Sequence, residues 1–145
     1  MAVDGGGVCS VRFTGPAGSP GQAPLLDAAA RELDEYFAGV RTEFTLPLIV
    51  RGGTPFERAV WARIAAIPYA EMITYGQIAA QVGEPDAARA VGVACNHNPL
   101  PIVVPCHRVV GAGGKLVGFG GGLPLKRFLL ELEAKVRIER TFSTG

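Results

Sequence analysis

Between Gly53 and Cys95 the chain is punctuated as a succession of short helices, and this punctuation narrows the possible folds more than any other feature. Thr54 is a good N-cap, Pro55 takes the first helical position, and Glu57 stands three residues on, the pattern of a capping box. Phe56, Val60, Trp61, Ile64 and Ala65 recur on one stripe, and the helix ends before Pro68. Thr74 caps a second helix that runs through Gln81 and closes at Gly83. Pro85-Asp86 opens a third, over residues 87–95. Two short helices joined by a Gly-Glu-Pro turn have the outline of a helix-turn-helix. An ordinary helical hairpin in a core has the same outline, and spacing alone does not separate the two.

The rest of the chain is read around this series. Its 145 residues fit one domain or two very small ones, and 48% hydrophobic residues suffice for a core. Residues 1–24 are rich in Gly, Pro and Ser, with one short strand over 8–13 and a loop over 15–24. A helix follows over 25–37, with Leu26, Ala29, Ala30, Leu33, Tyr36 and Phe37 on one face and Gly39 as its stop. Residues 44–50 read as extended, and Arg51-Gly52-Gly53 as the linker that divides 1–52 from 53–145. After Gly111 the chain is loop and turn to Gly122, and a last helix starts at Pro124 and covers 125–136. The class is α/β (α+β), a short N-terminal α/β segment before a mainly helical domain.

Several classes are excluded. No run of about 18 apolar residues is present, as a membrane span needs. The first residues lack the basic-then-apolar order of a secretory signal. Three widely spaced cysteines argue against a disulfide framework and fit a reducing compartment. The net charge of +1 says nothing for nucleic acid, but its distribution does. No acidic residue lies between Ala87 and Leu130, whereas Arg89, Arg108, Lys115, Lys126 and Arg127 all do. That segment carries a positive field suited to phosphates, unless the gap in acids is chance.

The chemistry concentrates in Pro105-Cys106-His107-Arg108-Val109-Val110, after the apolar run Leu100-Pro101-Ile102-Val103-Val104. A cysteine beside a histidine, exposed where a strand-like run breaks at a proline, can be an activated nucleophile. A free cysteine is more often a buried structural residue. Neighbours on an extended segment point to opposite sides, so a direct Cys106–His107 contact is difficult.

These six residues, with Asn98-Pro99 before them and Gly118-Phe119-Gly120-Gly121-Gly122-Leu123 after, resemble the active-site region of the 6-O-alkylguanine-DNA alkyltransferases. The resemblance extends through Gly53-Thr54-Pro55-Phe56, Val60-Trp61, Ile67-Pro68-Tyr69, Thr74-Tyr75-Gly76-Gln77-Ile78-Ala79 and Ala88-Arg89-Ala90-Val91-Gly92 to Leu129-Leu130-Glu131-Leu132-Glu133. It implies a winged-helix-like C-terminal domain that binds double-stranded DNA. Cys106 would accept the alkyl group from a flipped 6-O-alkylguanine, irreversibly and once per molecule. His107 would be the base, acting through a bridging water and held by Glu133 rather than Glu131. Asn98 would brace the turn against the backbone near Val109. Tyr75, Ala88, Arg89, Ala90 and Gly92 would meet DNA, with Arg89 replacing the extruded nucleotide. Cys95, Val109, Phe119 and Gly120 would line the base pocket, with Gly120 leaving the loop mobile and the pocket roomy. The segment before the 25–37 helix is shorter than in relatives, a remnant of a ribonuclease-H-like domain.

Cys95, His97, Cys106 and His107 form a zinc-like inventory, but Cys-x-His followed by an adjacent Cys-His pair lacks the separated pairs of zinc sites. No metal, cofactor or membrane partner is expected, a monomer is expected, and the Ala-, Gly- and Arg-rich composition is compatible with a bacterial source with a GC-rich genome, hence a cytoplasmic location. Two other readings stay open: a non-catalytic module that binds the lesion, and a thiol hydrolase with a Cys-His dyad.

Overall fold

A computed structural model describes residues 2–4, 7–10, 23–48, 50, 52–117 and 122–143. The chain is mixed α/β and mostly helical. It divides into two compact units, one of Met1–Gly52 with Pro99–Pro101, the other of Gly53–Asn98 with Ile102–Gly145. Among the described residues no helix is long and apolar enough to cross a membrane.

In the first unit, strands β1 (Ala2–Asp4) and β2 (Gly7–Ser10) form an antiparallel pair in which Val3 faces Val8. The expected strand over 8–13 is thus seen as far as Ser10, and its remainder lies outside the described residues. Helix α1 (Ala23–Phe37) packs against both strands. It starts two residues before the expected Leu25, because Pro24 falls in a first turn whose N–H groups have no helical partner to lose. Ala29 and Tyr36 are buried on the expected face, but Phe37 is exposed and Glu32 turns inward. Glu32 is tolerated there because its carboxylate accepts from Thr45 N at 2.9 Å and Thr45 Oγ1 at 2.6 Å. Residues 44–50 are not a continuous extended segment. Among those described, only Leu48 makes a bridge.

The second unit contains α2 (Pro55–Ala65), β3 (Ile73–Thr74), α3 (Tyr75–Gln81), α4 (Ala88–Asn96), β4 (Val109–Val110) and α5 (Leu123–Ser143). The capping box of α2 is complete: Glu57 N donates to Thr54 Oγ1 and Thr54 N donates to Glu57 Oε1, both at 3.0 Å. A second box opens α3, where Gln77 N reaches Thr74 Oγ1 at 3.1 Å and Thr74 N reaches Gln77 Oε1 at 2.8 Å. Gly83 follows α3 at φ +84°, a left-handed conformation that terminates helices. Helix α4 begins one residue later than expected and has no side-chain cap, so Pro85-Asp86 belongs to the turn before it.

Helices α2, α3 and α4 pack on one another. Their buried residues include Val60, Ile64, Ile78 and Val91. The buried indole of Trp61 satisfies its N–H on the Ala94 carbonyl at 2.8 Å, tying α2 to α4. Strands β3 and β4 pair in parallel, Ile73 with Val109 and Thr74 with Val110. At two residues each they carry no readable period, and the sequence reading contained neither. Helix α5 overruns its expected limits of 125 and 136 at both ends. Val136 is its last buried residue, so the exposed turns beyond it have no apolar period to mark them.

Gly53 sits at φ +82°, and a Cβ there would lie 2.7 Å from the Trp61 ring. Gly53→Ala therefore meets both backbone strain and a clash with a side chain that is itself held. It is expected to destabilise by more than ~1 kcal/mol in urea unfolding. An unchanged midpoint would contradict this packing of Trp61.

Candidate active site

The chain between α4 and β4 does not form the strand-like run expected of residues 100–104. Ile102 has φ 75°, outside the extended region, and only Pro101 and Val104 make isolated bridges. Cys106 N then donates to Val104 O at 2.8 Å and Arg108 N to Pro105 O at 2.9 Å, which closes a 3₁₀ turn over Cys106–Arg108. Two expectations are corrected here. Cys106 is buried, 3% exposed, rather than exposed at a strand end. It and His107 stand on a 3₁₀ turn rather than on an extended segment. Successive side chains still diverge, now by about a third of a turn.

Asn98 anchors the turn. Its Nδ2 donates to Cys106 Sγ at 3.1 Å and to Val104 O at 2.8 Å, which braces the turn at Val104. The neighbouring Cys95 thiol, then burial, pushes the Cys106 thiol well up from its ordinary value, while Asn98 and the Lys126 charge pull it down. The resting thiol is protonated, and a reaction at sulfur must remove that proton.

A group able to accept a proton is next in sequence. His107 is fully buried, and its Nε2 lies 2.6 Å from Glu133 Oε2. Burial lowers the imidazole's pKa, against the pull of Glu133, so the ring is neutral at pH 7 and can accept a proton. Glu133 is also fully buried, whereas Glu131 is exposed. Its carboxylate accepts from Arg108 Nε at 2.8 Å, Arg108 Nη2 at 3.0 Å and Ala70 N at 3.0 Å. Burial alone would raise its pKa, but the bonds from His107 and Arg108 outweigh it and hold the group at about 2. Arg108 has its remaining Nη1 on Ile67 O at 2.8 Å and lies 5.4 Å from the centre of the Tyr69 ring. Ala70 has φ 63°, an uncommon backbone for alanine that accompanies its bond to the carboxylate.

A groove of about 930 Å³ opens between the start of α3, the exposed side of α4 and residues 111–117. Tyr75, Ala88, Arg89 and Gly92 line it, with Val93 and Asn96. Ala90 is exposed on α4 but does not line the groove. Tyr75 donates its hydroxyl to Val117 O at 2.8 Å. Burial first, then the neighbouring Cys95 and Cys106, push the phenol's pKa upward, so it stays a donor. Val109 is fully buried, and its carbonyl accepts from Lys126 Nζ at 2.6 Å. Lys126 also donates to Val117 O at 3.0 Å and Tyr75 Oη at 3.3 Å. Phe119 and Gly120, expected in the base pocket, lie outside the described residues.

Sequence reasoning gave Arg108 and Lys126 no role beyond their charge. A signal was present for Lys126. Positions 126, 129, 133 and 136 make one buried stripe on α5, and two of its four members are charged. Cys95, His97, Cys106 and His107 do not gather round one point. His97 Nδ1 pairs with Glu57 Oε2 at 2.6 Å, and among the described residues no group of three His, Cys, Asp or Glu side chains could hold a metal.

Comparison with known proteins adds to this geometry. Residues 55–135 match the family described as 6-O-methylguanine DNA methyltransferase, DNA binding domain. A methylated-DNA–protein-cysteine methyltransferase of Mycobacterium tuberculosis is 57% identical over 105 residues, 72% of this chain and 63% of that protein. One of the same name from Methanosarcina acetivorans is 52% identical over 72% of this chain and 67% of its own length. The match thus spans less than two thirds of the mycobacterial relative. The crystal structure of Mycobacterium tuberculosis OGT in complex with DNA superposes with a TM-score of 0.82 at 46% identity, covering 92% of this chain and 85% of that one.

Glu133→Gln keeps the shape of the buried group but leaves Arg108 without a counter-charge. The expected loss is on the order of 3–5 kcal/mol in urea unfolding. A carboxylate held low in the folded state stabilises above its unfolded value and loses that contribution as pH falls through its folded value. Wild-type stability should therefore fall between pH 4.5 and about 2 through this group. The Gln variant should lose that part of the slope, and identical pH profiles would contradict the assignment.

Proposed function

Because the chain belongs to the 6-O-methylguanine DNA methyltransferase family, to which residues 55–135 match, we propose that it repairs 6-O-alkylguanine, mainly methyl, in double-stranded DNA by moving the alkyl group onto its own Cys106. The observation that carries this reading is the Cys106 thiol, held by Asn98 on a tight turn beside a buried His107–Glu133 pair. Helix α4 presents Ala88 and Gly92 with Arg89 in a groove that Tyr75 also lines. Small residues let a helix backbone approach a nucleic-acid groove closely, and Arg89 can fill the gap left by an extruded nucleotide. Extrusion is needed because the O6 substituent of a stacked, paired guanine cannot be approached along the line of attack.

His107 takes the Cys106 proton through a bridging water, and the Glu133 carboxylate stabilises the imidazolium that forms. The thiolate attacks the alkyl carbon. The S–C bond forms as the C–O bond breaks, and guanine leaves with the electron pair and is neutralised by a proton. A thioether has no thiolate to regenerate, so the protein acts once. Lys126 keeps Tyr75 and the backbone at Val109 and Val117 in place around the reaction. No cofactor enters this scheme. In this reading residues 53–145 bind DNA and transfer the alkyl group, residues 1–52 are a reduced ribonuclease-H-like segment, and the monomer works on the chromosome in a bacterial cytoplasm.

The test is a single-turnover assay on duplex DNA with one 6-O-methylguanine whose methyl is isotopically labelled. Label is expected on the Cys106 peptide at no more than one per protein, and none with Cys106→Ala. Lesion-selective binding without transfer would make the protein a sensor instead. Arg89→Ala should slow transfer from duplex DNA by about tenfold or more, since unstacking a base costs a few kcal/mol. It should leave the rate with the free 6-O-methylguanine base unchanged. An equal loss on both substrates would remove Arg89 from the extrusion step.

A further inference from the structure

Helix α4 turns one face to the groove, and much of that face is bare. Ala88 carries only a methyl group and Gly92 no side chain, and a Cβ on Gly92 would lie 4.0 Å from the Tyr75 ring. The opposite face is spent on the core, through Val91 and Ala94. Val93 interrupts the bare face. It lines the groove and is 49% exposed, an apolar bulk one residue beyond Gly92. A β-branched residue is also a poorer helix former than alanine, so helix stability does not account for it.

A helix with all its side chains is about 10–12 Å across and matches the major groove of DNA, about 12 Å wide. The minor groove is only about 6 Å wide, and a helix stripped of side chains approaches its floor best. The bare face of α4 suits that groove. There, G·C pairs differ from A·T pairs by one group, the guanine N2 amine, a donor that stands up from the floor. A valine laid over the amine offers no acceptor and keeps water away, which leaves the donor unpaired. An A·T pair presents no donor at that place. Val93 follows Arg89 by four residues. That span is about 6 Å of helix, roughly two base-pair steps.

We propose that Val93 makes alkyl transfer depend on the neighbours of the lesion, favouring A·T pairs within two steps of the extruded guanine and disfavouring G·C pairs through the guanine N2 amine. This selectivity rests on the repair reading, which puts Arg89 in the gap left by the extruded nucleotide.

The experiment measures transfer by the full chain, at protein concentrations below saturation, on duplexes with one 6-O-methylguanine. The two pairs on each side of the lesion are all A·T, all G·C, or all inosine·C, in which the N2 amine is missing. Weakly paired neighbours also ease extrusion, but they do so for every variant alike. The readout is therefore the A·T-to-G·C rate ratio, compared between proteins. The wild-type ratio should exceed that of Val93→Thr by about fivefold, because the threonine keeps the shape of valine and its hydroxyl accepts from the amine. Val93→Ala, which removes the bulk, should lower the ratio in the same direction. Val93 is half exposed, so neither change opens the core. Inosine should raise the G·C rate of the wild type more than that of Val93→Thr. Transfer with equal ratios in the three proteins, or a wild-type ratio below that of Val93→Thr, would overturn the selectivity alone. Affinity for the same duplexes, measured in the Cys106→Ala background, does not depend on transfer. A binding ratio that follows residue 93, in a protein that transfers no alkyl group, would support the selectivity and overturn the repair reading alone.

Discussion

The second unit is organised around one buried carboxylate. Glu133 stands fully inside and collects donors from His107, from two nitrogens of Arg108 and from the backbone of Ala70. A charge in an apolar interior is costly unless donors replace its lost water. The donors come from two parts of the chain, the 3₁₀ turn of His107 and Arg108 and the loop at Ala70. Satisfying this one group therefore binds α5 to the 3₁₀ turn and to the loop before β3. The same bonds that make the ion tolerable hold the histidine beside the reactive cysteine.

A second buried ion does comparable work on the groove side. The Lys126 ammonium donates to the carbonyls of Val109 and Val117 and to the Tyr75 hydroxyl, and Tyr75 itself donates to Val117. Burial lowers the lysine's pKa, and the neighbouring cysteines oppose this. Two charges seven residues apart on one helix face thus support two sides of a single site. Between them the short parallel pairing of β3 with β4 joins the start of α3 to the residues after the cysteine. Tyr75 and Cys106 are thereby linked through backbone as well as through side chains.

In the resting protein the thiol is protonated and covered, so reactivity waits on the approach of a substrate. Asn98 and Lys126 favour the thiolate, while Cys95 and burial oppose it. In the proposed reaction that balance suits a residue used once, since a permanently ionised thiol would be consumed by other electrophiles.

Much of the helical framework was legible because its signals are local. Thr54, Pro55 and Glu57 announce α2 within four residues, and Thr74 with Gly83 brackets α3. The spacing of α5 separated Glu133, which is buried, from Glu131, which is exposed. What the sequence by itself determined were features whose cause lies within a turn or two of the residue. Tertiary structure alone decided the burial of Cys106, the left-handed Ile102 that ends the apolar run, the β3–β4 pairing, and the inward turn of Arg108 and Lys126. These depend on partners tens of residues away, and a charged side chain reads as solvated until the fold supplies the buried groups that receive it.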